Sequence, residues 1–216
     1  ELLDGLLPPG VFNVLPGDSA TGTALASHRN VAMVAIIGSV NAGRAVMRAA
    51  SDTVKPVLLE LGGKNALIAF ADAAPDEVAT AAIAGMNFGW CGQSCGSTSR
   101  AMIHRDIYDR VLERIAARIT AFRPGDPTDP ATTMGAIISR VQKERVLDVI
   151  ASGKREGARL LCGGSVPDDA ALAQGHFVEP TVFTNVTMAM RIAREEIFGP
   201  VLSVIGWTDE AEMLRD

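Results

Sequence analysis

Short apolar runs rich in β-branched residues alternate along this chain with longer segments whose apolar residues recur at helical spacing. No other feature restricts the fold as strongly. "VFNVL" (11–15) and "VAMVAII" (31–37) read as buried strands, with a helix starting near Asp18 between them and another over "NAGRAVMRAA" (41–50). "PVLLEL" (56–61) and "ALIAF" (66–70) follow as strands split by "GGKN", and a helix from about Pro75 runs toward the cysteines of "GWCGQSC". Next come a strand at "AMIHR" and a helix over 106–122 with apolar positions at Ile107, Val111, Ile115 and Ile119. The breaker-rich loop "RPGDPTDP" leads to a second long helix over about 140–157. Short strands at "RLLC", "HFVEP", "TVF" and "VLSVI" complete the pattern. A chain organised this way is an α/β protein with mostly parallel strands.

Composition removes several classes of function. The 216 residues carry 20 basic and 25 acidic side chains, a net charge of −5 without long like-charge runs, so the chain does not resemble a nucleic-acid binder. No window approaches the roughly 18 consecutive apolar residues of a membrane-spanning helix, and no membrane association is expected. Three cysteines do not make a disulfide framework, and a reducing cytoplasm is the simpler setting.

The cysteines divide by their surroundings. Cys162, in "LLCGG", reads as a small buried hydrophobe, the commonest fate of a free thiol. Cys91 and Cys95 lie four positions apart, but a zinc site needs about four ligands, and His28, His104 and His176 stand in unrelated settings, so no metal is expected. A nucleophilic thiolate needs an electropositive backbone and little surrounding bulk. Cys95 fits best, because Ser94, Gly96 and Ser97 let a substrate carbon approach and let backbone N–H groups face an oxyanion. On composition alone the nucleophilic and the inert readings of Cys95 both stay open. Glu60 ends an apolar strand and is followed at once by "LGGKN", which delivers a carboxylate to the carboxyl end of a strand, where open α/β sheets gather reacting groups. It reads either as a general base or as an ordinary acid paired with Lys64.

"LELGGKNA" with Glu60, "GQSCGSTSR" with Cys95 and "EEIFGPV" (195–201) resemble three signature stretches of the NAD(P)-dependent aldehyde dehydrogenase superfamily, in that family's order. "PPGVFNVLPG" (8–17) and "GSVNAG" (38–43) precede them, and the resemblance covers essentially the whole chain. It implies an α/β fold in which residues 1–62 form the later part of a Rossmann-like NAD(P)-binding domain and residues 63–216 an incomplete catalytic domain. The chain is expected to be truncated at both ends, with Glu1 opening inside one helix and Asp216 closing inside another. A partial sheet of this kind is expected to associate or to be poorly soluble when made alone.

The resemblance also implies roles. Cys95 resembles the nucleophile that adds to an aldehyde, giving a thiohemiacetal that passes hydride to nicotinamide and becomes a thioester. Glu60 resembles the base that activates the hydrolytic water, which requires the fold to bring two residues 35 positions apart together. Gly38, Ser39 and Gly43 match the segment beside the cofactor pyrophosphate, where a helix N-terminus favours an anion. Gly17, closing "NVLPG", is assigned to the same cofactor side. Leu61 and Gly62 are expected beside the carboxamide, Glu196 on the nicotinamide ribose and Phe198 near the nicotinamide. Trp90 and Cys91 are expected to line the substrate pocket. NAD is the expected cofactor, with NADP possible, a small aldehyde the substrate, and a homodimer or homotetramer the assembly. Val40 and Asn41 stand where the family more often has threonine and glutamate, Ala66 where proline is common, and Ile37 where threonine is common. The family's upstream asparagine of the oxyanion hole and its adenine-ribose lysine have no counterpart here. Two other functions remain open: a non-catalytic remnant that pairs with another subunit, and a cysteine esterase using Cys95 and Glu60 without nucleotide.

Overall fold

The computed structural model describes residues 5–215, and the chain divides into two compact units, Glu1–Gly62 and Gly63–Asp216. In the first, α1 (Ser19–Ser27) leads through a turn to β1 (Val34–Gly38), α2 (Val40–Ser51) and β2 (Val57–Leu61), and β1 and β2 pair in parallel. Asp18 caps α1 by accepting from the Ala20 N–H, and Ser39 caps α2 by accepting from the Ala42 N–H, so each helix start is set by a local side chain. Lys55 is buried and donates to the His28 carbonyl at 2.6 Å, closing the exposed acceptor end of α1 with a cation.

The second unit begins with β3 (Ala66–Ala69), α3 (Pro75–Met86), β4 (Arg100–His104) and α4 (Arg105–Ile119). It continues with α5 (Arg140–Arg155), β5 (Arg159–Cys162), β6 (Thr181–Thr184), the short α6 (Arg191–Arg194), β7 (Val201–Trp207) and α7 (Glu210–Arg215). Its five-stranded sheet has the order β3-β4-β7-β6-β5, parallel throughout except for antiparallel β5 at one edge.

The two-residue period of the strands sends alternate side chains into two cores. Met102, Phe183, Val201 and Ile205 meet α5 and α6, while Ala101, Ile103, Val182, Leu202 and Val204 meet α3 and α4. Ile107, Val111, Ile115 and Ile119 are all buried along one face of α4, at the spacing the sequence shows. Against them α3 turns Ala79 and Ala82, small residues that allow close helix–helix contact. At the end of α5, Gly157 takes φ +94°, and the N–H groups of Gly157 and Ala158 return to the carbonyls of Lys154 and Gly153. Only glycine adopts that left-handed stop without strain.

Two expected strands do not form. Residues 11–15 are irregular, with Val11, Phe12, Val14 and Leu15 all exposed. A strand exists by laddering to a neighbour, and no segment among the described residues pairs with this one. "VAMVAII" becomes a strand only from Val34. "HFVEP" (176–180) is likewise unpaired: its polar backbone bonds to loops, with the His176 carbonyl accepting from the Ile137 N–H and the Glu179 N–H donating to the Ser165 carbonyl. Pro180 has no N–H for a ladder. The expected helix at Glu1 lies outside the described residues, as does Asp216.

The α4 stripe gives a direct check of the core. Truncating Ile115, fully buried, to Ala should cost about 2–4 kcal/mol in urea unfolding of the second unit. Truncating Ile138, which is 80% exposed, should change stability by less than about 0.5 kcal/mol.

Candidate active site

The approach to Cys95 is a chain of tight turns. Asn87 ends α3 in the left-handed region at φ 56°, a single 3-10 turn spans Phe88–Trp90, and Cys91 and Gly92 follow at φ 56° and φ 64°. Gly92 packs under the Gly199 carbonyl so closely that any side chain there would strike it. The Ser97 N–H then donates to the Ser94 carbonyl at 3.1 Å, closing a turn with Cys95 and Gly96 at its corners. The Gly96 N–H is held by Ser94 Oγ at 3.1 Å. Cys95 is therefore exposed at the tip of a turn anchored from below, where buried Ser97 meets the Asn87 amide at 3.3 Å and the Thr98 N–H donates to the Gly85 carbonyl.

The other thiols differ. Of the two residues expected to line a substrate pocket, Trp90 is exposed, whereas Cys91 is 2% exposed, packs in the core and directs its thiol 2.9 Å from the Gly135 carbonyl. Its left-handed backbone turns the side chain inward, and burial pushes the thiol up to about 11. Cys162 is half-buried on β5, and desolvation raises its pKa too.

"GGKN" reaches the cysteine turn through backbone contacts. The Asn65 side-chain amide donates to the Cys95 carbonyl at 2.7 Å. Arg100 Nη2 donates to the Lys64 carbonyl at 2.8 Å, and the Arg100 N–H to the Asn65 carbonyl at 3.3 Å. The Lys64 ammonium itself is buried and has no hydrogen-bond partner among the described residues. Desolvation, followed by the like charge of Arg100, lowers its pKa to about 7, while Glu196 and Glu195 pull the other way.

The "EEIFGP" segment is shaped by contacts from α5. Phe198 holds φ 53°, unusual for a non-glycine residue. Gln142 Nε2 donates to the Ile197 carbonyl at 2.9 Å and to the Phe198 carbonyl at 3.0 Å, and Arg145 donates to the Glu196 carbonyl at 2.9 Å. Arg191 of α6 pairs with Asp148 at 2.6 Å and with Glu195 at 2.9 Å.

In the first unit, Glu60 is exposed in β2, opposite Ile37 of β1, and Leu61 lies opposite Gly38. Gly38 and Ser39 are exposed where β1 enters α2. Gly43 is buried on α2, where a Cβ would meet the Leu61 side chain at 2.8 Å, so its lack of a side chain permits close helix–strand packing. Gly17 is exposed just before the α1 cap, and a Cβ there would run into Thr21. Gly62 is half-buried after β2.

Sequence reasoning missed the residues that hold these stretches. Asn65 and Arg100 lie inside the quoted motifs, so adjacency offered a signal. Gln142 and Arg145 sit on a helix whose polar positions look like any solvated face and offered none.

A mostly parallel α/β sheet with an exposed cysteine on a glycine–serine turn, tied to a neighbouring "GGKN" segment, defines the class as an α/β fold that presents a thiol beside a glycine-rich segment. A sequence model described as "Aldehyde dehydrogenase family" matches residues 2–216, and the chain belongs to that family. It is 53% identical over 219 residues to Aldehyde dehydrogenase tropH of Talaromyces stipitatus, covering 100% of this chain and 42% of that protein. It is 47% identical over 208 residues to betaine aldehyde dehydrogenase of Brucella ovis, covering 96% of this chain and again 42% of the relative. Among solved structures, PnpE in complex with nicotinamide adenine dinucleotide superposes with a TM-score of 0.92 at 40% identity, over 97% of this chain and 43% of that one. Aldehyde dehydrogenase from Bartonella henselae gives a TM-score of 0.89 at 38% identity, over 97% and 44%. The chain thus spans under half the length of these relatives.

Two measurements probe the site. Brief labelling with limiting iodoacetamide, read by mass spectrometry, should modify Cys95 well ahead of Cys91, which is buried and protonated at neutral pH. Lys64 should give a pH signature. Between about pH 7 and its ordinary 10.5, the unfolded chain holds a proton that the folded chain has released, so this group makes stability rise with pH across that window. Urea midpoints should accordingly gain more between about pH 7 and pH 8.5 in wild type than in Lys64→Met, where that contribution is gone.

Proposed function

We propose that this chain carries the chemistry of NAD-dependent aldehyde oxidation, with Cys95 as nucleophile and Glu60 as the base of the hydrolytic step. The observation that supports this most strongly is the 2.7 Å bond from Asn65 to the Cys95 carbonyl, which joins two family-like stretches thirty positions apart around the one exposed thiol among the described residues. An exposed thiol on a turn of small residues gives an aldehyde carbon an unobstructed approach.

Addition of the Cys95 thiolate to the carbonyl carbon forms a C–S bond and moves the carbonyl π electrons to oxygen; the expected oxyanion donors are not the Gly96 and Ser97 N–H groups, which are already bonded to Ser94. Bound NAD supplies the hydride acceptor. Gly17, Gly38, Ser39 and Gly43 would serve the phosphate side, Leu61 and Gly62 the carboxamide, Glu196 the ribose and Phe198 the nicotinamide. The N-terminus of α2, capped by Ser39, is exposed, and a helix N-terminus favours an anion such as a phosphate. Glu60 would take a proton from the water that attacks the thioester, and its exposed place on β2 leaves the carboxylate in contact with solvent. Trp90, being exposed, is the better of the two proposed pocket residues.

The substrate class is a small aldehyde and the product its carboxylic acid. NAD is proposed by analogy with the NAD complexes among the similar structures, NADP being the variant to test against it. The proposed assembly is a homodimer or homotetramer. The three free thiols suit a reducing compartment, for which the cytoplasm is proposed. Residues 1–62 are proposed as part of the NAD-binding domain and 63–216 as part of the catalytic domain. Among the described residues no helix is long and apolar enough to cross a membrane.

In the protein expressed from its complete open reading frame, Cys95→Ala should abolish aldehyde-dependent NADH formation. Glu60→Gln should slow turnover by about 100-fold or more and accumulate an acyl adduct on Cys95 visible by intact mass. Full activity in Cys95→Ala would sink the proposal.

A further inference from the structure

We infer that Gln142 is a positioning residue that fixes Phe198 and Glu196 relative to the Cys95 turn, so that its amide governs hydride transfer while leaving thiol chemistry intact. The inference rests on the proposed roles of Cys95 and Phe198. Three consecutive carbonyls, those of Glu196, Ile197 and Phe198, are gripped by donors from successive residues of one helix face: Arg145 at 2.9 Å, and Gln142 at 2.9 and 3.0 Å. Two carbonyl acceptors fix the Gln142 amide orientation, since only its NH2 group can satisfy both. These bonds hold a residue at φ 53°, where a phenylalanine backbone is strained and persists only if its surroundings over-determine it. Val146, on the next turn of α5, packs so closely on Gly199 that no side chain would fit there, and the Gly199 carbonyl in turn lies over Gly92.

The segment leading into α5 grips the cysteine turn as well. The Ile138 N–H donates to Gln93 Oε1 at 2.8 Å, Gln93 Nε2 reaches the Ala136 carbonyl at 3.4 Å, and the Cys91 thiol lies 2.9 Å from the Gly135 carbonyl. Within eleven residues, 135–145, one stretch of chain holds the nucleophile turn at one end and the Glu196–Phe198 segment at the other. It acts as a strut between them. Loss of the Gln142 donors frees Phe198 to leave the left-handed region and moves the aromatic ring, leaving Arg145 as the remaining grip on the Glu196 carbonyl, while Gln93 and Asn65 still hold the Cys95 turn.

The test uses Gln142→Leu, which keeps the size without donors, and Gln142→Glu, which keeps the shape but cannot donate to carbonyls, both in the protein from the complete reading frame. Oxidation of the straight-chain aldehyde that wild type turns over fastest is compared with nucleotide-independent hydrolysis of 4-nitrophenyl acetate. Hydrogen–deuterium exchange of the peptide over 195–201 is followed alongside. A fall in oxidation kcat of about tenfold to a hundredfold, with ester hydrolysis within about twofold of wild type and faster exchange confined to 195–201, is the expected result. Equal loss of both activities would mean that Gln142 only supports the fold. Unchanged oxidation, or unchanged exchange at 195–201, would overturn the inference outright. A Cys95→Ala control separates the two levels: if that variant keeps both activities, or if wild type oxidises no aldehyde, the reading of Cys95 fails, and the exchange result alone decides whether Gln142 holds the segment.

Discussion

The parallel register of β3, β4 and β7 is the constraint on which the second unit depends. Ala66 of β3 lies opposite Arg100 of β4, and Arg100 lies opposite Ser203 of β7. Parallel strands start at the same end of a sheet. Whatever precedes each strand in sequence is therefore delivered to one edge: "GGKN" before β3, "SCGSTS" before β4 and "EEIFGP" before β7. Three stretches scattered over more than 130 positions become neighbours because of strand direction alone, and the Asn65–Cys95 bond is a direct result.

The same arrangement departs from the usual layout of open α/β sheets. The carboxyl ends of parallel strands are the usual gathering place for reactive groups in open α/β sheets, and Glu60 on β2 of the first unit fits it. In the second unit the signature segments stand at the amino ends instead. Cys95 is presented by the turns that lead into a strand, and its exposure comes from the left-handed residues Asn87, Cys91 and Gly92 that reverse the chain after α3.

The buried polar groups show where the site departs from ordinary packing. Most polar atoms near the cysteine turn find partners: the Asn87 amide, the Arg100 guanidinium at Nη2, the Gln93 amide and the Gln142 amide. The Lys64 ammonium, Thr98 Oγ1 and Arg100 Nε, all close in sequence to these anchors, find none among the described residues. An unpaired ammonium next to a guanidinium is costly, which is why its proton is held weakly. Unsatisfied groups of this kind concentrate where a protein trades stability for chemistry.

The sequence by itself determined the α/β class, nearly every helix and most strands, because amphipathic periodicity and capping residues such as Asp18, Ser39 and Ser139 act locally. It also marked Cys95, Glu60 and Glu196, whose motifs are contiguous. It overcalled 11–15 and 176–180 as strands, since a β-branched run specifies a strand only when a partner edge exists, and pairing is not a local property. It placed Cys91 in a pocket, although a left-handed backbone at that residue turns the thiol into the core. Gln142 and Arg145 were invisible, because nothing in a polar helix face tells which carbonyls it will meet. Local chemistry is written in the order of residues; which distant segments share an edge, and which side chain holds them there, is decided only when the strands choose their neighbours.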